Sequence, residues 1–236
     1  MRNPPLAWAA GNGYEEVVKI LLSRDDINPD KRGENRQTPL SQAACNGHEG
    51  VVKMLLARDD VNPNEPDKYG QTPIVLAAWN GHEGVVKMLL GRNDVNPNGL
   101  YEGGQTPLGC AARNQYEGIA KLLLERGDVN PDIPDMEGAT PLWCAASNGQ
   151  EGLVKLLLGR SDVNPNTPNN AGRTPLWLAA RKGHEGTVRL LLGCEDVNPN
   201  KSDMCGLTPL SQAVKYSHAG VIALLQSRTS AAHSTA

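Results

Sequence analysis

Thr38-Pro39-Leu40-Ser41-Gln42-Ala43-Ala44-Cys45-Asn46-Gly47-His48-Glu49-Gly50-Val51-Val52-Lys53-Met54-Leu55-Leu56 decides the fold, because most of it returns at a fixed interval. Prolines 39, 73, 107, 141, 175 and 209 lie 34 residues apart, each preceded by Thr and followed by Leu or Ile, and Pro5-Leu6 extends the series to seven copies. A fixed period of this length is the signature of a repeat architecture. Within one copy Thr38 is placed to cap a helix that starts at Pro39, where the missing N–H has no intrahelical partner to lose. Leu40, Ala43 and Ala44 give that helix a narrow apolar face, and Asn46-Gly47 ends it after about two turns in a left-handed stop. A second helix runs from His48-Glu49 through Leu56, apolar over more than half its circumference, so it must be covered on more than one side. Asp60-Val61-Asn62-Pro63 and a polar stretch ending in Gly70 then read as an extended turn to the next Thr-Pro. No copy can bury its own apolar faces, and stacking against neighbours buries them, which gives an all-α solenoid of seven helix-turn-helix units with hairpin-like connecting loops.

Composition narrows the function. The chain has 236 residues, 39% hydrophobic and 21% charged, with 25 Gly, 17 Pro and no Phe, a folded but heavily punctuated sequence without long helices or a coiled coil. Its 23 Lys+Arg against 26 Asp+Glu leave a formal charge of −3, no global field for polyphosphate, so nucleic acid is not an expected partner. Leu6 to Ala10 is too short for the core of a secretion signal, and no apolar run approaches the ~20 residues that span a bilayer. No membrane association is expected, and the location read from this is cytoplasmic, with the nucleus left open. Cys45, Cys110, Cys144, Cys194 and Cys205 contain no Cys-x-x-Cys pair and read as reduced thiols.

The boundaries follow the period. A single array covers 1–228, in copies of about 1–34, 35–68, 69–102, 103–136, 137–170, 171–204 and 205–228, and 229–236 reads as a flexible tail. The first copy carries Pro4 at the cap position and leaves Leu6 and Trp8 without a preceding unit, as if cut from the C-terminal array of a longer protein. The seventh has Ala223 and Gln226 at apolar or basic positions of its siblings, as a polar end cap has. Glu49 and Lys53, Glu83 and Lys87, Glu117 and Lys121, Glu151 and Lys155, and Glu185 and Arg189 are spaced as helical ion pairs of roughly 0.2–0.5 kcal/mol each. The recurring Gly50, Gly84, Gly118, Gly152, Gly186 and Gly220 cost roughly 1 kcal/mol each relative to Ala in a helix, and close packing is the one reason the sequence offers.

Thr-Pro-Leu, Ala-Ala, Asn-Gly-His-Glu, Val-Val-Lys-Met-Leu-Leu and Asp-Val-Asn together resemble the ankyrin repeat, over residues 4 to about 228. The family usually has His after Thr-Pro-Leu, where this chain has Ser41, Val75, Gly109, Trp143, Trp177 and Ser211. Its usual repeat has 33 residues. Here one is missing before Asp-Val-Asn and two are added around Asn-Pro-Asn, which is expected to reshape the hairpin tips. The run Gly-His-Glu-Gly-Val-Val-Lys with Arg-Asp-Asp-Val-Asn-Pro-Asn is similar to the C-terminal arrays of fungal NOD-like (NACHT-type) receptors, although nothing in the chain resembles an NTPase.

Comparing the copies separates frame from variation. The second and sixth positions after each Pro differ freely, as do the turn residues, and the resemblance implies that these line a concave groove that binds partner proteins. The candidate contacts are Trp79, Arg113, Trp143, Ser147, Trp177, Arg181 and Lys215 on the first helices, with Lys68, Tyr69, Glu102, Met136, Glu137 and Met204 in the turns. Trp and Arg are the types most enriched at binding hot spots. A space-filling role for Trp143 and Trp177 competes with this, against which stands their exchange with Gly109, Ser41 and Ser211. His48, His82, His184 and His218 recur in the frame and read as ties between adjacent loops. No copy has a unique nucleophile with a base, so no catalytic residue, cofactor or metal is expected. Asp94-Val95-Asn96-Pro97-Asn98-Gly99 copies half a calcium loop, but Gln105 stands where a bidentate Glu is required. The expected function is therefore a non-enzymatic module that binds a protein or peptide as a monomer, within a larger intracellular receptor. The alternative is a spacer that self-associates through Leu6 and Trp8.

Overall fold

The computed structural model describes the backbone for residues 3–234 and side chains for residues 3–228. It divides into two compact units, Met1–Val129 and Asn130–Ala236. The first holds four helix pairs: α1 (Pro5–Gly11) with α2 (Glu15–Leu22), α3 (Pro39–Asn46) with α4 (Glu49–Leu56), α5 (Pro73–Asn80) with α6 (Glu83–Leu90), and α7 (Pro107–Arg113) with α8 (Glu117–Leu124). The second holds α9 (Pro141–Asn148) with α10 (Glu151–Leu158), α11 (Pro175–Lys182) with α12 (Glu185–Leu192), and α13 (Pro209–Lys215) with α14 (Ala219–Ser234). No strand occurs among the described residues. The last helix carries its backbone past residue 228 as far as Ser234, while residues 235 and 236 of the expected tail lie outside the described residues.

The elements start and stop for the reasons their residues supply. Thr38, Thr106, Thr140, Thr174 and Thr208 each accept the backbone N–H three residues on, at 3.1–3.2 Å. Thr72 departs from its siblings: its hydroxyl is buried without a partner and lies against Gly99. The first helices end on glycine in the left-handed region at Gly47, Gly81, Gly149 and Gly183. Gln115 and Ser217 hold that conformation without being glycine, at a cost of roughly 1–2 kcal/mol each.

The cores are stacks of small first-helix faces backed by larger second-helix residues. Leu40, Ala43, Ala44, Ile74, Ala77 and Ala78 in the first unit and Leu142, Ala145, Ala146, Ala179 and Ala180 in the second are completely buried. Behind them Val51, Val52, Leu55, Val85, Val86 and Leu89, and Leu153, Val154 and Leu157, are buried as well. Leu6, expected to lack cover, is only 1% exposed because α1 packs on both α2 and α3, whereas Trp8 is 51% exposed.

The recurring glycine has a tertiary cause. A Cβ built on Gly50, Gly84, Gly118, Gly186 or Gly220 collides with the carboxylate of Glu15, Glu49, Glu83, Glu151 or Glu185 from the preceding copy. These acids turn to the next copy rather than serving chiefly their own helix, and Glu185 also meets Arg189 at 3.0 Å.

Candidate functional site

Three sets of cross-copy bonds hold the frame from which the variable residues project. His48, His82, His184 and His218 place Nε2 at 2.9–3.1 Å from the carbonyls of Gly11, Cys45, Ser147 and Arg181, one copy back. Arg58 and Arg126 reach back likewise, Nη1 donating to Leu22 O at 3.0 Å and to Arg92 O at 3.1 Å. Their guanidiniums also grip Asp60 and Asp128, and the Arg–carboxylate hydrogen bond holds each acid below the usual range. The added Asn-Pro-Asn residues form a ladder. Asn64 Oδ1 accepts from Asn96 N at 2.7 Å and its Nδ2 donates to Asp94 O at 2.6 Å, and Asn166 repeats this with Asn198 N and Asp196 O. The calcium-like loop is thereby explained, since Asp94 pairs with Arg92 and Asn96 Oδ1 caps Asn98 N. No group of three or more His, Cys, Asp or Glu suited to a metal occurs among the described residues.

Against this frame the turn residues stand out. Tyr69, Met136 and Met204 are 53%, 77% and 78% exposed, and Lys68, Glu102 and Glu137 are exposed too. The tips are joined along each unit by single backbone bonds, Lys68 N to Asn35 O at 2.8 Å in the first, and Asn170 N to Glu137 O at 2.9 Å and Met204 N to Ala171 O at 3.1 Å in the second. Lys68 Nζ lies 4.6 Å from the Tyr69 ring centre.

The helix positions divide. In the first unit Trp79 is half-buried and stacks on Tyr101, ring centres 4.4 Å apart and planes 10° apart, and Arg113 is half-buried. Between the first two copies Asn3, Glu34, Asn35, Gln37, Gln42 and Asn46 help line a polar cleft of about 280 Å³. In the second unit Trp143 is half-buried, its indole N–H donating to Arg173 O at 3.0 Å. Trp177 is 2% exposed and donates to Leu207 O at 2.8 Å, which fixes the loop before α13. The large ring finds a hydrogen-bond acceptor 30 residues on, which a Gly or Ser at this position does not need. Ser147 is also mostly buried, its hydroxyl 2.9 Å from Lys182 Nζ. Arg181 is half-buried and Lys215 is exposed.

A family model described as ankyrin repeats in three copies matches residues 6–99, 93–169 and 142–234. The chain belongs to the ankyrin-repeat family. Among solved structures, this ankyrin-repeat protein is similar to the human ASB11 ankyrin repeat domain, at 25% identity and TM-score 0.76 over 95% of this chain and 97% of that one. It is similar also to the ankyrin repeat domain of Bcl-3, a member of the IkappaB protein family, at 26% identity and TM-score 0.80 over 95% and 98%. No curated protein sequence matches it. No helix among the described residues is long and apolar enough to cross a membrane. Ankyrin repeats are typically non-enzymatic interaction modules, and no catalytic family is indicated.

Sequence reasoning missed Tyr101, Arg173 and Tyr216 in this ankyrin frame. Arg173 carried a signal, standing just before Thr174 where earlier copies have Gln37, Gln71 and Gln105.

Proposed function

We propose that this protein binds a protein or peptide ligand through the surfaces formed by its turn tips and first helices, and that it serves as the sensing or targeting array of a larger intracellular receptor of the NOD-like kind. One observation carries the reading. The residues that differ from copy to copy include the most exposed large hydrophobic side chains among the described residues, Met136 and Met204 at 77% and 78%, whereas the recurring apolar residues of the helices, such as Leu40, Ala43, Ala44, Val51, Val52 and Leu55, are completely buried. A surface that varies on a constant frame is what a binding array needs and what stacking alone does not. The contacts in this reading are Lys68, Tyr69, Trp79, Glu102 and Arg113 in the first unit, and Met136, Glu137, Trp143, Arg181, Met204 and Lys215 in the second, with Ser147 and Trp177 behind them. The test is capture from native cell extract with the intact chain beside a Tyr69→Ala, Met136→Ala, Met204→Ala variant. These side chains are exposed, so the fold survives their loss. A ligand held by the intact chain and released by the variant supports the site, and equal retention by both removes it.

The first copy favours a second reading, self-association, because Trp8, Tyr14, Val17 and Ile20 are 51%, 46%, 43% and 65% exposed. Sedimentation at several concentrations separates the two, since the self-assembly reading requires a mass that rises with concentration and falls back on Ile20→Glu.

A further inference from the structure

The second unit gathers cations and rings around α11 and α13. Arg181 holds its guanidinium between two aromatic rings, 5.6 Å from the centre of Trp177 and 5.6 Å from that of Tyr216. Arg173 lies 4.8 Å from the Trp177 ring and Lys215 Nζ lies 5.7 Å from the Tyr216 ring. Lys182 completes the row through its bond to Ser147. Arg173 Nε lies 3.7 Å from Asp203, whose side chain is 2% exposed and already accepts the backbone N–H groups of Cys205 and Leu207. Glu185 lies on α12 and meets Arg189 instead. Among the described contacts the half-buried Arg181 guanidinium has ring partners but no carboxylate. A ring-held guanidinium has lost much of its side-chain freedom before a ligand arrives, and its planar fork matches a carboxylate in bidentate fashion. The whole chain carries −3, so this cationic cluster opposes the sign of the molecule around it.

We infer that this face of the second unit takes an acidic peptide, an extended segment rich in Asp or Glu, with Arg181 as its anchor and Lys215 and Lys182 flanking. The inference rests on the groove reading and names its ligand class for one unit. Exposed Met204 on the neighbouring turn offers a flexible apolar contact beside the cations.

The probe is fluorescein-labelled hexaglutamate, titrated into the whole chain at low salt and read by anisotropy, with the indole N–H resonances of Trp143 and Trp177 as local reporters. Hexalysine and a 20-nucleotide oligothymidylate are the comparison ligands. Hexaglutamate is expected to saturate and to shift the Trp177 resonance. Arg181→Ala is expected to weaken it about tenfold, the size of one charge-assisted pair, and Arg181→Lys to lose part of that, because the charge stays while the fork goes. Arg189→Ala makes the same change in net charge on another helix and is expected to stay within twofold. The inference falls if Arg189→Ala weakens binding as much as Arg181→Ala, or if hexaglutamate does not saturate by millimolar concentration. It falls also if oligothymidylate binds more tightly and shifts the same resonance, which would make the surface a nucleic-acid site. If hexaglutamate fails while the exposed-tip variant still releases a captured ligand, the groove reading stands and only the acidic ligand class is lost.

Discussion

Replacing Asp132 by Asn should stabilise the second unit. In the ladder, Asn64, Asn98 and Asn166 donate Nδ2 to a carbonyl 30 residues on, at 2.6–2.8 Å. Asp132 occupies the same rung and accepts from Asn164 N at 3.4 Å, but its Oδ1 is buried without a partner, where the amide of its siblings donates. The carbonyl at the matching offset is that of Asp162. Burial pushes the Asp132 carboxyl above its ordinary range, opposed by the bonds from Asn164 N and Thr167 and reinforced by the charge of Asp162. The Asp132→Asn change restores a donor, worth roughly 1 kcal/mol, and removes part of an unpaired acceptor's penalty of roughly 1–3 kcal/mol. The group is only partly buried, so the net gain is taken as about 1–2 kcal/mol. Urea denaturation at pH 7 measures it, and melting should rise roughly 4–8 °C per kcal/mol for a unit of about 100 residues. The pH dependence checks the cause. Because the folded carboxyl titrates above the unfolded one, the native state binds more protons between the two values, and the cost of Asp132 is present above its folded pKa. That cost fades as pH falls toward the unfolded value of about 3.9. The advantage of the Asp132→Asn variant over the unaltered chain should therefore shrink on acidification through that window. An advantage that is absent at pH 7, or that grows on acidification, refutes the argument. The reverse change Asn64→Asp in the first unit should destabilise, and a gain there would refute it equally.

Three other outcomes follow from the geometry. Arg36→Gly should stabilise by about 1 kcal/mol in urea titration, because Arg36 holds φ +61° where the other copies have Gly70, Gly104, Gly138, Gly172 and Gly206. Cys194→Arg should raise stability by roughly 0.5–1.5 kcal/mol, since Cys194 stands in the series Arg58, Arg92, Arg126 and Arg160 and an Arg there reaches the carbonyls of Leu158 and Arg160 and the carboxylate of Asp196 by the same offsets. Calorimetry checks it, and no change in melting would show that the backbone of this copy does not present those acceptors. Trp177→Ala should cost roughly 3–5 kcal/mol, whereas Tyr69→Ala should stay within about 0.5 kcal/mol, as exposed substitutions do; similar losses for both would contradict the burial contrast.

What was legible in the sequence is what lies within one copy. Thr-Pro at the start of six first helices and Asn-Gly at the end of those in the second, third and fifth copies announce themselves locally, and the 34-residue period implies stacking because neither helix can bury its faces alone. The histidine ties were legible through recurrence. Contacts that cross copies were not. Gly50 and Glu15 belong to different helices, and only their juxtaposition explains why a helix tolerates glycine there. Trp177 resembled a surface anchor because its position varies, yet its burial depends on the carbonyl of Leu207, a backbone atom with no sequence signature. Asp132 looked interchangeable with Asn166 until the donor half of each rung was placed.

The rungs of the ladder point one way along the chain: Asn64 and Asn166 each offer an amide oxygen to the N–H of the next copy and an amide nitrogen to its carbonyl, Asp30 and Asp132 offer the acceptor half alone, and the histidines answer in the opposite direction. A junction within either unit is thus specified by the same few residues on its two sides, whichever copies meet there. Deleting or duplicating 34 consecutive residues inside a unit, from one Thr-Pro to the next, leaves each new junction with partners of nearly the same chemistry. A gene encoding such a chain can change the number of its copies by unequal recombination, and the surface it presents can be recombined in blocks rather than mutated residue by residue.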